Sequence, residues 1–236
     1  IIEVNKVFYM TFHHNFCESR IYKNQPEYIN AVTSLFITII PLCFPFPVKM
    51  VYRRITLLLM MNGFCSLYYH LKLNWVGKQL DELTMIFCIY IALIDIVNDK
   101  RKTYAFIITD SYFIGILVIN SIPSIDFLFP ILFAIPILTF LYFLYKISKV
   151  YDDIKLRYLL FSVVGAISWI ISETLCNKYT YIGHGLWHFF FPLGFIKLLN
   201  NLDYVLSKNI MIDTYVDNRN SYNDLTPLLN NEKNYI

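Results

Sequence analysis

Seven apolar runs, each close to the length needed to cross a bilayer, constrain this chain more than any other feature. They cover residues 29–48, 55–71, 79–97, 103–120, 127–145, 158–172 and 179–196. A helix needs about 20 residues to cross the hydrocarbon core. In lipid, only helices and closed barrels satisfy their own backbone groups. A barrel strand would show about ten residues of strict alternation, whereas these runs are longer and continuously apolar. The pattern predicts an all-α integral membrane protein, a seven-transmembrane helix bundle. The composition fits: 57% of residues are hydrophobic and 16% charged, where a soluble domain carries about a quarter charged. The balance of 20 basic and 17 acidic residues excludes a phosphate-tracking nucleic-acid surface. The five cysteines form no CxxC pair and no zinc-finger spacing.

Basic residues set the expected orientation. With the N-terminus on side one, the side-two connections hold ten of them: Lys49, Arg53, Arg54, Lys100, Arg101, Lys102, Lys146, Lys149, Lys155 and Arg157. Side one holds three, Lys72, Lys78 and Lys178. This asymmetry places the N-terminus in a lumen or outside the cell and the C-terminus in the cytosol. Residues 1–28 lack the h-region and cleavage site of a signal peptide and read as an N-terminal lumenal or extracellular segment. Residues 29–200 form the helix domain. Residues 201–236 are polar and Asn-rich and read as a disordered cytosolic tail. The fifth run carries Pro130 and Pro136, which predict a kink.

Ionisable side chains inside spans are costly and mark function. Ser66 and His70 are four apart on the second run, and His184 and His188 four apart on the seventh. Residues at i and i+4 share a helix face, so His184 and His188 can address one ion, with His70 supplying a third nitrogen. Three protein nitrogens and an open position describe a catalytic zinc site. Polar glue between helices and axial haem ligation are the other readings of these histidines. Asp81, at the same depth, is the candidate general base, although a helix N-terminus also favours a carboxylate there. Ser66 is the candidate donor to a developing oxyanion; a hydroxyl bonded back to its own helix is the plainer alternative. Asp110 reads as bundle-facing and hydrogen-bonded, and Asp95 as a residue of the cytosolic rim. Trp187 reads equally as a cavity wall or a lipid-facing ring.

At these residues the chain resembles the alkaline ceramidase family, within the seven-helix membrane hydrolases that include the adiponectin and progestin receptors. The resemblance rests on Gly63-Phe-Cys-Ser-Leu-Tyr-Tyr-His70, Gln79-Leu-Asp-Glu-Leu-Thr-Met85 and His184-Gly-Leu-Trp-His188. Cys17-Glu18, Glu27, Asn30-Ala31, Trp169 and Cys176 also match. The SxxxH, Asp and HxxxH set belongs to the whole group, and the QLDEL run points to ceramidases. The resemblance implies a zinc-dependent amidase that takes ceramide from the bilayer and releases a sphingoid base and a free fatty acid. Its zinc ligands would be His70, His184 and His188, and its catalytic groups Ser66 and Asp81. It further implies a Cys17–Cys176 disulfide and an endoplasmic reticulum or Golgi location. Calcium in this family is bound by acidic residues matching Glu18 and Glu27. Asn15 and Arg20 depart from that pattern, where Asp and Asn are usual, and weigh against calcium. Ser172 stands where many relatives carry Asp. The competing class is a seven-helix receptor or sensor with a structural zinc site and little or no hydrolysis.

Overall fold

The computed structural model describes residues 16–23, 25–97, 102–122, 125 and 128–232. Among them the regular elements are all helical. A short helix α1 (Cys17–Tyr22) leads into α2 (Tyr28–Leu42), α3 (Met50–Lys72), α4 (Trp75–Val97) and α5 (Lys102–Asn120). There follow α6 (Phe129–Ser148), a 3-10 turn (Leu156–Tyr158), α7 (Leu159–Thr174) and α8 (Gly183–Glu232). Among the described residues two segments are long and apolar enough to cross a membrane, Phe129–Ser148 and Leu156–Thr174. Tyr28–Leu42 and Ile107–Asn120 are shorter apolar helices.

Helices α2, α3, α4 and α8 pack as one cluster with α7 laid along α8, while α5 and α6 join mainly through α4. The core includes Ile55, Ile86, Ile116, Leu144 and Ile196, all fully buried. Outward faces carry Ile108, Ile114, Ile131, Leu138, Leu160 and Ile167 in exposed positions. A soluble monomer rarely leaves so extensive an apolar surface in water. In lipid, helices associate through close packing and small residues rather than through the hydrophobic effect. Gly63 shows this at the α2–α3 contact. A Cβ there would sit 2.7 Å from the Thr38 backbone nitrogen and 2.9 Å from the Ser34 carbonyl oxygen.

The connection between α3 and α4 is two residues long and decides where Asp81 falls. Leu73 takes the left-handed conformation (φ 45°), and its N–H closes on the Tyr69 carbonyl at 2.7 Å. A side chain in that region costs about 1–2 kcal/mol. Asn74 then accepts the Gly77 N–H through Oδ1 at 2.7 Å, an N-cap that starts α4 at once. The helix therefore begins at Trp75, four residues before the apolar run. Other helix N-termini borrow their caps from distant segments. Glu18 accepts the N–H groups of Ile29 and Asn30 at the head of α2. Asp203 on α8 accepts those of Val48 and Lys49 at the head of α3.

Three features differ from the sequence-based expectations. Pro130 lies in the first turn of α6, where its missing N–H costs nothing, and Pro136 alone stands inside the helix. The short α1 has no apolar run to announce it. Helix α8 continues unbroken to Glu232, so the backbone is helical across most of the stretch whose composition suggests disorder. A helix already nucleated by a packed segment extends at little further cost.

Candidate metal centre

His70 comes from the last turns of α3, and His184 and His188 from the first turns of α8. All three are buried, and their ring centroids lie 4.8–5.3 Å apart. One potential ligand atom from each falls within 4.8 Å of the others. The α2–α3–α8 contact brings these ends together. Thr33 lies against Gly185, where a Cβ would come within 3.0 Å of the hydroxyl.

Each imidazole turns Nδ1 towards an oxygen. His70 Nδ1 lies 2.6 Å from Glu27 Oε2. His188 Nδ1 lies 3.1 Å from Thr33 Oγ1, and the ring also hydrogen-bonds the Asn30 backbone. His184 Nδ1 faces Glu173 Oε1 at 3.6 Å. This last pair is the looser one: both atoms are buried and neither has a hydrogen-bond partner. A metal-ligating histidine almost always donates its remote N–H to a carboxylate or carbonyl, which fixes the tautomer. On His70 and His188, Nδ1 is engaged, which leaves Nε2 as the nitrogen to ligate. The three buried imidazoles therefore form a group that could hold a metal ion.

Asp81 and Ser66 connect to this group through hydroxyls. Asp81 Oδ1 accepts the Asn62 amide at 2.8 Å and the carboxylate also hydrogen-bonds Ser66. Ser66 Oγ lies 3.1 Å from Ser34 Oγ, which in turn stands 3.4 Å from His188 Nδ1. The four side chains form one continuous polar line from α4 to α8. Glu82, next to Asp81, pairs with Lys78 at 2.7 Å.

The N-terminal segment covers the histidines. The Phe16 ring meets His184 edge-on at 4.5 Å and His70 at 5.8 Å. Cys17 and Cys176 are joined as a disulfide, tying α1 to the connection after α7. Both oxygens of Glu27 have partners: Ser19 at one, Asn30 and His70 at the other. Glu18 is committed to the head of α2, and burial pushes its carboxyl above the usual range despite those two N–H groups. Arg20 is turned away from this acidic pair and grips Glu173, through the side chain at 2.9 Å and the carbonyl at 2.8 Å. Asn15 lies outside the described residues. Ser172 donates to the Tyr181 carbonyl at 3.3 Å, so the α7 carboxylate nearest a histidine is that of Glu173.

Beside the polar line lies an apolar cavity of about 300 Å³. Its walls include Leu59, Met85, Phe133, Phe140, Val163 and Trp187. Asn62 also lines it, so one amide borders both the cavity and Asp81.

The sequence matches the ceramidase family profile over residues 9–220. The chain belongs to the ceramidase family. It is 26% identical over 214 residues to an alkaline ceramidase of Caenorhabditis elegans, covering 78% of each chain. To an alkaline ceramidase of Caenorhabditis briggsae it is 26% identical over 202 residues, 74% of each chain. To one of Drosophila melanogaster it is 24% identical over 203 residues, 75% of this chain and 71% of the other. A ceramidase-family chain with this apolar exterior is a membrane protein. Five of its polar groups escaped the sequence reading in their present roles: Asn62, Thr33, Ser34, Glu173, and Glu27 as partner of His70. Only Asn62 left a trace, one helical turn before Ser66.

Proposed function

We propose that this protein is a seven-pass membrane amidase that hydrolyses the N-acyl bond of ceramide with a zinc ion held by His70, His184 and His188. The observation that carries the reading is the arrangement of three buried imidazoles whose Nδ1 atoms all face oxygens. Bound there, zinc supplies Lewis acidity and brings the pKa of water down to about 7. The remaining work falls to the protein's own residues. Asp81, held by Asn62 and Ser66, takes the proton from the attacking water and delivers it to the departing amine nitrogen. Ser66 has one proton to give. It points to Asp81 at rest and turns to the carbonyl oxygen as negative charge develops there.

The apolar cavity beside Asn62 receives a hydrocarbon chain, so the amide bond comes to rest against the polar line. Glu18 and Glu27 serve as structural pins in this reading, with their oxygens already used, and Arg20 supplies a fixed cation nearby. The excess of basic residues on one side supports a lumenal N-terminus and a cytosolic C-terminus, as in a protein of the endoplasmic reticulum or Golgi. The deciding experiment follows fatty-acid release from labelled ceramide by the purified full-length protein. Wild type is expected to release it and a His184→Ala, His188→Ala variant to fall to background. Equal release by both would overturn the proposal. Absence of release on every N-acyl lipid, with metal bound, would favour a receptor.

A further inference from the structure

We infer a second, non-catalytic site: a pocket for the headgroup of an anionic phospholipid at the end of the bundle opposite the histidines. It is an open pocket of about 300 Å³ lined by Phe44, Pro45, Tyr158, Lys197, Asn200, Asn201 and Tyr204. Lys197 follows His184 by thirteen residues along α8, which is roughly 20 Å of helix rise. Nothing in the proposed hydrolysis uses it.

Two side chains in this pocket lack what their chemistry calls for. Asn200 buries both Nδ2 and Oδ1 without a hydrogen-bond partner. Leaving such groups unsatisfied costs about 1–3 kcal/mol. Lys197 places its ammonium against the Phe161 ring at 5.0 Å and the Phe44 ring at 6.0 Å. Among the described residues no carboxylate lies within ion-pair distance of it. The neighbouring amide of Asn201 is already committed, accepting the Lys155 N–H at 2.7 Å and donating to the Asp153 carbonyl at 3.2 Å.

The vacant chemistry selects the ligand. A phosphate oxygen answers the Lys197 ammonium and the Asn200 N–H together, and a headgroup hydroxyl or ammonium answers Asn200 Oδ1. The aromatic walls suit the glycerol and the roots of acyl chains, as rings do at membrane interfaces. Lys155, whose N–H binds Asn201, and Arg157, over the Tyr158 ring, are both exposed and carry positive charge next to two residues of the pocket lining. Of the acids nearby, Asp153 lies 3.7 Å from Lys208, and Asp203 is occupied by the N–H groups of Val48 and Lys49. Cations placed at this level attract anionic lipid.

The test uses the full-length protein in nanodiscs of phosphatidylcholine, with or without phosphatidylserine. Readouts are thermal stability and lipid retained on native mass spectrometry. Phosphatidylserine is expected to raise Tm and to be retained over phosphatidylcholine. Lys197→Gln should weaken retention about fivefold, the worth of one lysine near anionic lipid. Asn200→Leu should weaken it similarly, and Lys197→Arg should preserve it. Should Asn200→Leu fail to fold, the Lys197 pair decides, with unchanged metal content as the check on its fold. Equal retention by wild type and Lys197→Gln would overturn the site. Equal stabilisation by inorganic phosphate in phosphatidylcholine alone would also overturn it, by assigning the pocket to a soluble anion.

Discussion

The α2–α3–α8 side of the molecule and the α5–α6 side are built to opposite rules. On the first, backbones touch and polar side chains interlock. Gly63 has no room for a methyl group, and His70, His188, Glu27, Asn30, Ser34 and Ser66 are all buried and hydrogen-bonded. On the second, Gly115 has nothing within 4 Å of where a Cβ would stand. There the helices meet the rest mainly through α4, and the apolar cavity opens against α6. The difference teaches how a membrane protein can hold reactive groups rigidly while admitting a flexible lipid. Buried polar networks rigidify as their members find partners, and here His184 Nδ1, Glu173 Oε1 and Asn30 Oδ1 are buried without one. In the proposed reaction the substrate's hydrocarbon needs only shape, and α6 supplies one wall of the cavity that would receive it.

Several substitutions would break or sharpen that contrast. The largest effect is expected from His70→Ala, which should abolish both metal retention and ceramide hydrolysis, as checked by elemental analysis and product release. Gly63→Ala should cost about 1–3 kcal/mol by overpacking, whereas Gly115→Ala should change stability by no more than about 1 kcal/mol. Comparing Tm for the pair tests whether the two halves really differ. Next, Glu27→Gln should weaken metal affinity about 10–100-fold, read by chelator competition. Glu173→Gln should act in the same direction with a smaller effect, because its oxygen stands 3.6 Å from His184 rather than in hydrogen-bond contact. Smallest of all, a calcium-selective chelator should leave hydrolysis unchanged, since the oxygens of Glu18 and Glu27 are engaged and Arg20 is drawn to Glu173. A zinc chelator should remove activity.

The legibility of the sequence followed the same division. Long apolar runs announce helices because lipid leaves the backbone no other choice, and the i, i+4 histidines announce a shared face. Asp110 and Trp187 resolved as their surroundings dictate: Asp110 accepts the Tyr90 hydroxyl at 2.8 Å, and Trp187 lines the cavity. Pairings across the bundle stayed hidden. Glu27 and His70 are 43 residues apart, and no local pattern connects them. Glu173 follows an apolar run and reads as its polar end, yet tertiary packing turns it towards His184. Helix α1 is six residues long, too short for any periodicity to show.

The most direct measurement is the metal content of the full-length protein purified without added metal. This account predicts one zinc per chain in wild type and its loss in His188→Ala, with the variant still folded. A protein free of zinc, or one that keeps it after His188 is replaced, would contradict it.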